Sequence, residues 1–66
     1  MRVRFDEKAD ALYLRLDDSE IVESDEVQPG VVLDFDARNQ VVGVEIRGLS
    51  GRVPLASLRQ IHFEVA

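Results

Sequence analysis

Four groups of polar residues in this chain of 66 residues are spaced in ways that chemistry uses. Asp34 and Asp36 stand two apart, so on an extended strand their carboxylates point the same way and could share a cation or a proton. Asp36, however, opens Asp36-Ala37-Arg38-Asn39-Gln40, a run of turn formers in which an Asp carboxylate bonds backbone two residues on. Asp34 is then left to pair across a sheet with an Arg. Asp17-Asp18-Ser19-Glu20 has the oxygen density of a calcium loop but lacks its alternating ligands, central Gly and distant Glu. Gly48-Leu49-Ser50-Gly51-Arg52 sets a serine near glycines, as a nucleophile elbow does, but that motif needs Gly where Arg52 stands and a large parallel sheet behind it. A nucleophile also needs a base that a third group orients. The single histidine, His62, lies between Ile61 and Phe63 near the C-terminus and, with no cysteine in the chain, cannot close a zinc site. These residues read as turns, a solvated loop and a boundary histidine. No catalytic residue, cofactor or metal ligand is assigned from them.

The elements that would position such groups are strands. Val3-Arg4-Phe5 and Ala11-Leu12-Tyr13-Leu14-Arg15-Leu16 flank the polar stretch from Asp6 to Asp10. Val31-Val32-Leu33-Asp34-Phe35 and Val41-Val42-Gly43-Val44-Glu45-Ile46 flank the stretch from Asp36 to Gln40. Alternation of this kind, broken by turn residues, marks β-hairpins. Val3, Phe5, Leu12, Leu14, Leu16, Val31, Leu33, Phe35, Val42, Val44 and Ile46 then share a strongly apolar face. The second face takes Arg2, Arg4, Ala11, Tyr13, Arg15, Val32, Asp34, Val41, Gly43, Glu45 and Arg47. Residues 21–27 are a weaker segment, readable as an edge strand whose carboxylates discourage stray pairing, and Gln28-Pro29-Gly30 ends it in a turn. Past Ile46, Pro54 with Leu55, Leu58 and Ile61 predicts a helix of roughly two turns, and Phe63 with Val65 a brief terminal strand. The expected fold is α+β: one domain over 1–66, an antiparallel meander of about four strands with a short C-terminal helix.

Size and charge narrow the function classes. A chain this short hides only about 60% of the surface its unfolded form exposes, and without disulfides or a metal its expected support is self-association. No apolar run is long enough for a membrane span and no signal peptide opens the chain, so a soluble, cytoplasmic protein with no membrane partner is expected. The net charge of -5 is concentrated: Asp17, Asp18, Glu20, Glu23, Asp25 and Glu26 put six acids and no base between positions 17 and 26. Overall acidity argues against nucleic acid as the main partner, because phosphate binding draws on many Lys and Arg contacts. The acidic segment suits a basic partner protein.

Asp10-Ala11-Leu12-Tyr13-Leu14-Arg15-Leu16, then Glu23-Ser24-Asp25-Glu26-Val27, Pro29-Gly30-Val31-Val32-Leu33-Asp34 and Val41-Val42-Gly43-Val44-Glu45-Ile46, occur in an order that resembles a family of small prokaryotic proteins, domain of unknown function 2283. The resemblance implies no activity, cofactor or catalytic residue; the role it suggests is that of an antitoxin-like neighbour of a toxin. The tail departs from the family pattern at Gly48-Leu49-Ser50-Gly51-Arg52, where a helical stretch with alanine and arginine is expected, which leaves the start of the helix open.

The second face is the surface expected to carry function. Its middle, formed by Tyr13, Ala11, Val32, Val41 and Gly43, is too apolar for a wholly solvated face, while Arg2, Arg4, Arg15 and Arg47 face Asp34 and Glu45 as cross-strand partners. Gly43 leaves room for a ring or a backbone to approach, and Tyr13 is the one tyrosine available to cover it. A protein interface and cover by the C-terminal segment are equally compatible with this face. The function expected is a non-catalytic interaction module that self-associates. The competing class is a small ligand-binding protein or enzyme using acidic residues, which would require a convergent polar pocket.

Overall fold

The structure, a computed structural model covering residues 1–66, contains a five-stranded, wholly antiparallel sheet. Its strands are β1 (Arg2–Asp6), β2 (Ala11–Arg15), β3 (Glu23–Gln28), β4 (Val31–Phe35) and β5 (Val41–Arg47), in the spatial order β1-β2-β5-β4-β3. A 3₁₀ turn (Leu49–Gly51) and one helical turn, α1 (Leu55–Leu58), follow β5. No helix is long and apolar enough to cross a membrane.

The sheet has one strand more than the four expected. The weak segment is β3, all of whose residues are exposed. An edge strand pairs on one side only and can stay in water, so its sequence carries little alternation. The C-terminal helix is shorter than the two turns expected. Gly48 enters the left-handed region at φ 65°, and α1 starts after Pro54 with no side-chain cap and no buried residue to hold it, so nothing extends a nucleus of one turn. Phe63 and Val65, expected in a terminal strand, pair with no strand.

Two hairpin turns use the same device. At the β1–β2 turn the Asp6 carboxylate accepts the backbone N–H groups of Lys8 and Ala9, each at 3.1 Å, and Asp10 closes the turn at φ 53°. At the β4–β5 turn Asp36 accepts those of Arg38 and Gln40, each at 2.9 Å, and Asn39 sits at φ 62°. Short acidic and amide side chains are the non-glycine residues that best tolerate this geometry. β3 and β4 are joined by Pro29 and Gly30, the latter at φ 82°, in the residue order of a type II turn.

The link from β2 to β3 is longer, because residues 16–22 carry the chain past the ends of β5 and β4 to the far edge in a Greek-key arrangement. Arg15 holds its start: Nε donates to the Asp17 carbonyl at 2.7 Å and Nη2 to the Ser19 carbonyl. Val22 closes its end by donating to the Phe35 carbonyl at 2.9 Å.

Register assigns the two faces. Val3, Leu14, Val44 and Leu33 form one cross-strand row, ending in Asp25 on β3, and Phe5, Leu12, Ile46 and Val31 another, ending in Gln28, giving a face that is apolar over β1, β2, β5 and β4 and polar along its β3 edge. Arg4, Tyr13, Glu45, Val32 and Glu26 form a row of the opposite face, and Arg2, Arg15, Gly43, Asp34 and Ser24 the row beside it. Only Ala11, Asp34, Val42, Gly43 and Leu49 are fully buried. Except for Val42, every large side chain of the apolar face keeps part of its surface in water.

Candidate functional site

The densest polar arrangement lies on the opposite face, over β5. Tyr13 stands beside Glu45 in one row, and Gly43 and Asp34 are neighbours in the next. A diagonal neighbour on an adjacent strand is within reach of an aromatic side chain, and the Tyr13 hydroxyl crosses above Gly43 to donate to Asp34 Oδ2 at 2.8 Å. From the other side Ser24 Oγ on β3 donates to Asp34 Oδ1 at 2.6 Å. One carboxylate thus links β2, β4 and β3 over the bare backbone of β5.

Gly43 makes this possible. A Cβ there would lie 2.7 Å from both Asp34 Oδ2 and the Tyr13 hydroxyl oxygen, inside any normal contact distance. The space expected above Gly43 is filled from within the chain, by the end of a tyrosine and a carboxylate.

Asp34 is only 7% exposed and takes part in no ion pair. Burying a carboxylate is costly unless its oxygens are hydrogen-bonded, and here each has a hydroxyl donor, the Ser24 bond at the short distance typical of charge-assisted bonds and the Tyr13 bond at an ordinary O–H···O length. Burial first, and then the bond to Asp34, raise the Tyr13 phenol above its ordinary titration range. A phenol held protonated in this way is a donor, neither base nor nucleophile. Ser24 also gives its proton to Asp34 and stands on an exposed edge strand. The arrangement is a clamp across the sheet.

The expectation that arginines of this face pair with Asp34 and Glu45 across strands is replaced by other contacts. Asp34 takes two neutral hydroxyls, and Glu45 is met by Arg47 of its own strand at 3.1 Å. Of the residues expected at the centre of the face, Tyr13 and Gly43 come together. Arg15 lies beside Gly43, but its guanidinium is turned to the 16–22 link. Val32 is half-buried between Glu45 and Glu26 in its row. Val41 departs from the expected placement, because a bulge leaves Val42 as an extra residue in β5 and sets Val41 opposite Phe35, outside the row of Gly43. Ser24 was not foreseen as a partner. A second bulge, between Glu26 and Gln28, brings it opposite Asp34, whereas a plain two-residue turn would pair it with Phe35.

Other candidate groups have structural tasks. Ser50 donates its backbone N–H to Asp10 Oδ1 at 3.0 Å and its hydroxyl to Asp10 Oδ2 at 2.7 Å, tying the 3₁₀ turn to the first hairpin. Asp36 is spent on its own turn. The acidic segment divides in two: Asp17, Asp18 and Glu20 lie on the 16–22 link, and Glu23, Asp25 and Glu26 on the free edge strand. The Ser19 hydrogen bonds hold the Asp17 carboxyl below its ordinary range, and Asp18 lies 3.9 Å from Arg2. Glu20, Glu23, Asp25 and Glu26 enter no ion pair.

Two depressions mark the surface. One, of about 240 Å³, lies beside Tyr13 and is lined by Arg4, Asp6, Ala9, Ala11 and Glu45; it falls below the ~300 Å³ at which ligand pockets begin. The other, of about 490 Å³, is an open trough between the 16–22 link and the β4–β5 turn, bordered by Asp17, Glu20, Asp36 and Arg38.

Residues 2–50, which span all five strands, match the family described as protein of unknown function (DUF2283). The chain belongs to this family. No curated protein and no solved structure matches it. The matched stretch ends at Ser50, the residue that anchors the 3₁₀ turn to Asp10, so the helix and tail lie beyond the part that defines the family.

Proposed function

We propose that this protein is a non-catalytic, cytoplasmic interaction module that acts as a self-associated assembly, with its acidic segment turned to a basic protein partner in an antitoxin-like role. The observation that carries this reading is the exposed area. The chain presents 5200 Å² to solvent, whereas a folded monomer of 7.4 kDa is expected to present about 4200 Å². The surplus, about 1000 Å² and shared with the exposed tail, is of the order of what one partner contributes to a standard interface, about 800 Å². Supporting the non-catalytic half is the structural use of these groups: Ser24 and Ser50 donate to the carboxylates of Asp34 and Asp10, which tie strands and turns together, and neither serine is part of a Ser-His pair.

The trough between the acidic link and the β4–β5 turn favours the second reading, a ligand-binding protein using acidic residues. Sedimentation equilibrium from low micromolar to hundreds of micromolar separates the two. The interaction module forms a defined oligomer whose melting temperature rises with concentration. A monomer throughout, melting at one temperature, rejects self-association.

A further inference from the structure

We infer that the apolar face of the sheet is the self-association surface, and that its occupant is the same face of a second copy. The inference rests on the self-association proposed above and assigns it to a surface. The Tyr13 face is closed by its own clamp, with Asp34 and Gly43 buried beneath. The opposite face carries Val3, Leu14, Val44 and Leu33 in one row and Phe5, Leu12, Ile46 and Val31 in the next, none of them buried, with Glu23, Asp25 and Gln28 confined to its β3 edge. Val3 is 53% exposed and Leu16 39%.

Three observations favour a second copy. The area exposed beyond that of a compact monomer, to which the tail also contributes, is of the order of one half of a dimer interface. A sheet with one apolar face reaches a stable two-layer arrangement by stacking on another such face, and an identical copy supplies the same apolar area. The chain's own tail supplies too little: Ile61, Phe63 and Val65 are its only large apolar groups beyond α1, and at 59%, 83% and 84% exposed they lie away from any core. Two-fold symmetry makes the contact self-complementary and closes the assembly as a dimer.

The test compares dissociation constants from sedimentation equilibrium for the parent chain and four variants of it. Val3→Glu and Leu16→Glu place charges at positions exposed in the monomer, so each should keep the native circular dichroism spectrum. Each should also weaken the dimer at least tenfold, which corresponds to about 1.4 kcal/mol of lost association. Val32→Lys on the other face, between Glu45 and Glu26, and a chain ending at Gln60 should dimerise within about threefold of the parent. Because a glutamate could disturb the fold, isotope-filtered NMR on a mixed-label parent dimer gives a second reading, and intermolecular methyl contacts among Leu14, Leu33 and Val44 are expected. A dimer unmoved by both glutamates, or lost on Val32→Lys or on removal of residues 61–66, overturns the face assignment and leaves self-association standing. A strict monomer removes both.

Discussion

Tyr13 reaches Asp34 across an intervening strand, hydroxyl to carboxylate at 2.8 Å, above the one residue of that row without a side chain. The bond spans from the N-terminal hairpin to the β3-β4-β5 meander. Within the sheet a single ladder, β2 with β5, makes this join, and the clamp adds a side-chain tie over it, as the bonds of Leu49 and Ser50 to Asp10 do at its end.

Tyr13→Phe removes one donor from a buried carboxylate and leaves its apolar ring in place. Leaving a buried acceptor unsatisfied costs about 1–3 kcal/mol, and urea denaturation should show a loss in that range with the m-value unchanged. Ser24→Ala should cost less because β3 is exposed. The two losses should not add, since both hydroxyls share Asp34. Additive losses would mean that the two bonds act independently.

Gly43→Ala sets a methyl 2.7 Å from both the Tyr13 and Asp34 oxygens. Overpacking of this kind costs about 1–3 kcal/mol. Combined with Tyr13→Phe the total should fall short of the sum, because the alanine has already broken the bond that Phe deletes. Thermal melts of the two single variants and the double variant check this; equal stability of Gly43→Ala and the parent would contradict the close approach.

The Tyr13 phenol titrates higher in the folded chain than its ordinary value, so above that value the native state binds its proton more tightly than the unfolded state does. Its contribution is complete below about pH 10 and is lost as pH rises through the folded value. Stability measured from about pH 8 to 11 should decline more steeply for the parent than for Tyr13→Phe. The lowered Asp17 carboxyl acts at the other end, present above its ordinary range and lost as pH falls through the folded value. Being exposed, it should contribute little.

Arg15→Lys keeps the charge but loses the planar fork that donates to the Asp17 and Ser19 carbonyls. Hydrogen exchange across residues 16–22 should quicken several-fold while exchange in β4 and β5 is unchanged. Equal exchange in both forms would show that the link is held by other means.

The strands were legible because their side chains do two things at once. Val3, Phe5, Leu12 and Leu14 alternate with Arg2, Arg4, Ala11 and Tyr13, and the same alternation fixes which face each will share. Asp36 was legible as a turn residue for a local reason, since its carboxylate bonds backbone only a few positions away. The clamp was half legible. Gly43 and Tyr13 could be matched as a gap and a filler, but Ser24 and Val41 are placed by bulges, and a bulge inserts a residue without leaving a mark in composition. Asp34 was expected to seek an arginine because opposite charges dominate a reading by type. Of the arginines in its row, Arg15 is drawn to the Asp17 and Ser19 carbonyls and Arg2 lies beside Asp18, which leaves Asp34 to the hydroxyls of Tyr13 and Ser24. The single-turn helix was hidden because Leu55, Leu58 and Ile61 have helical spacing, whereas propagation depends on caps and packing that spacing does not report.

The join between β2 and β5 divides the molecule in a further sense. Every other pairing links strands joined by a short turn, whereas this one brings Ala11 to Arg47 and Arg15 to Gly43, so it alone requires closure of a long loop. A hairpin closes in about 1–10 μs, and an isolated pair of strands is at best marginal in water. Docking of the N-terminal hairpin on the meander is then the step that converts two transient pieces into one fold. Cutting the chain within residues 16–22 turns that docking into a bimolecular reaction, and the protein becomes a pair of complementing fragments whose recognition code is written along one strand-to-strand border.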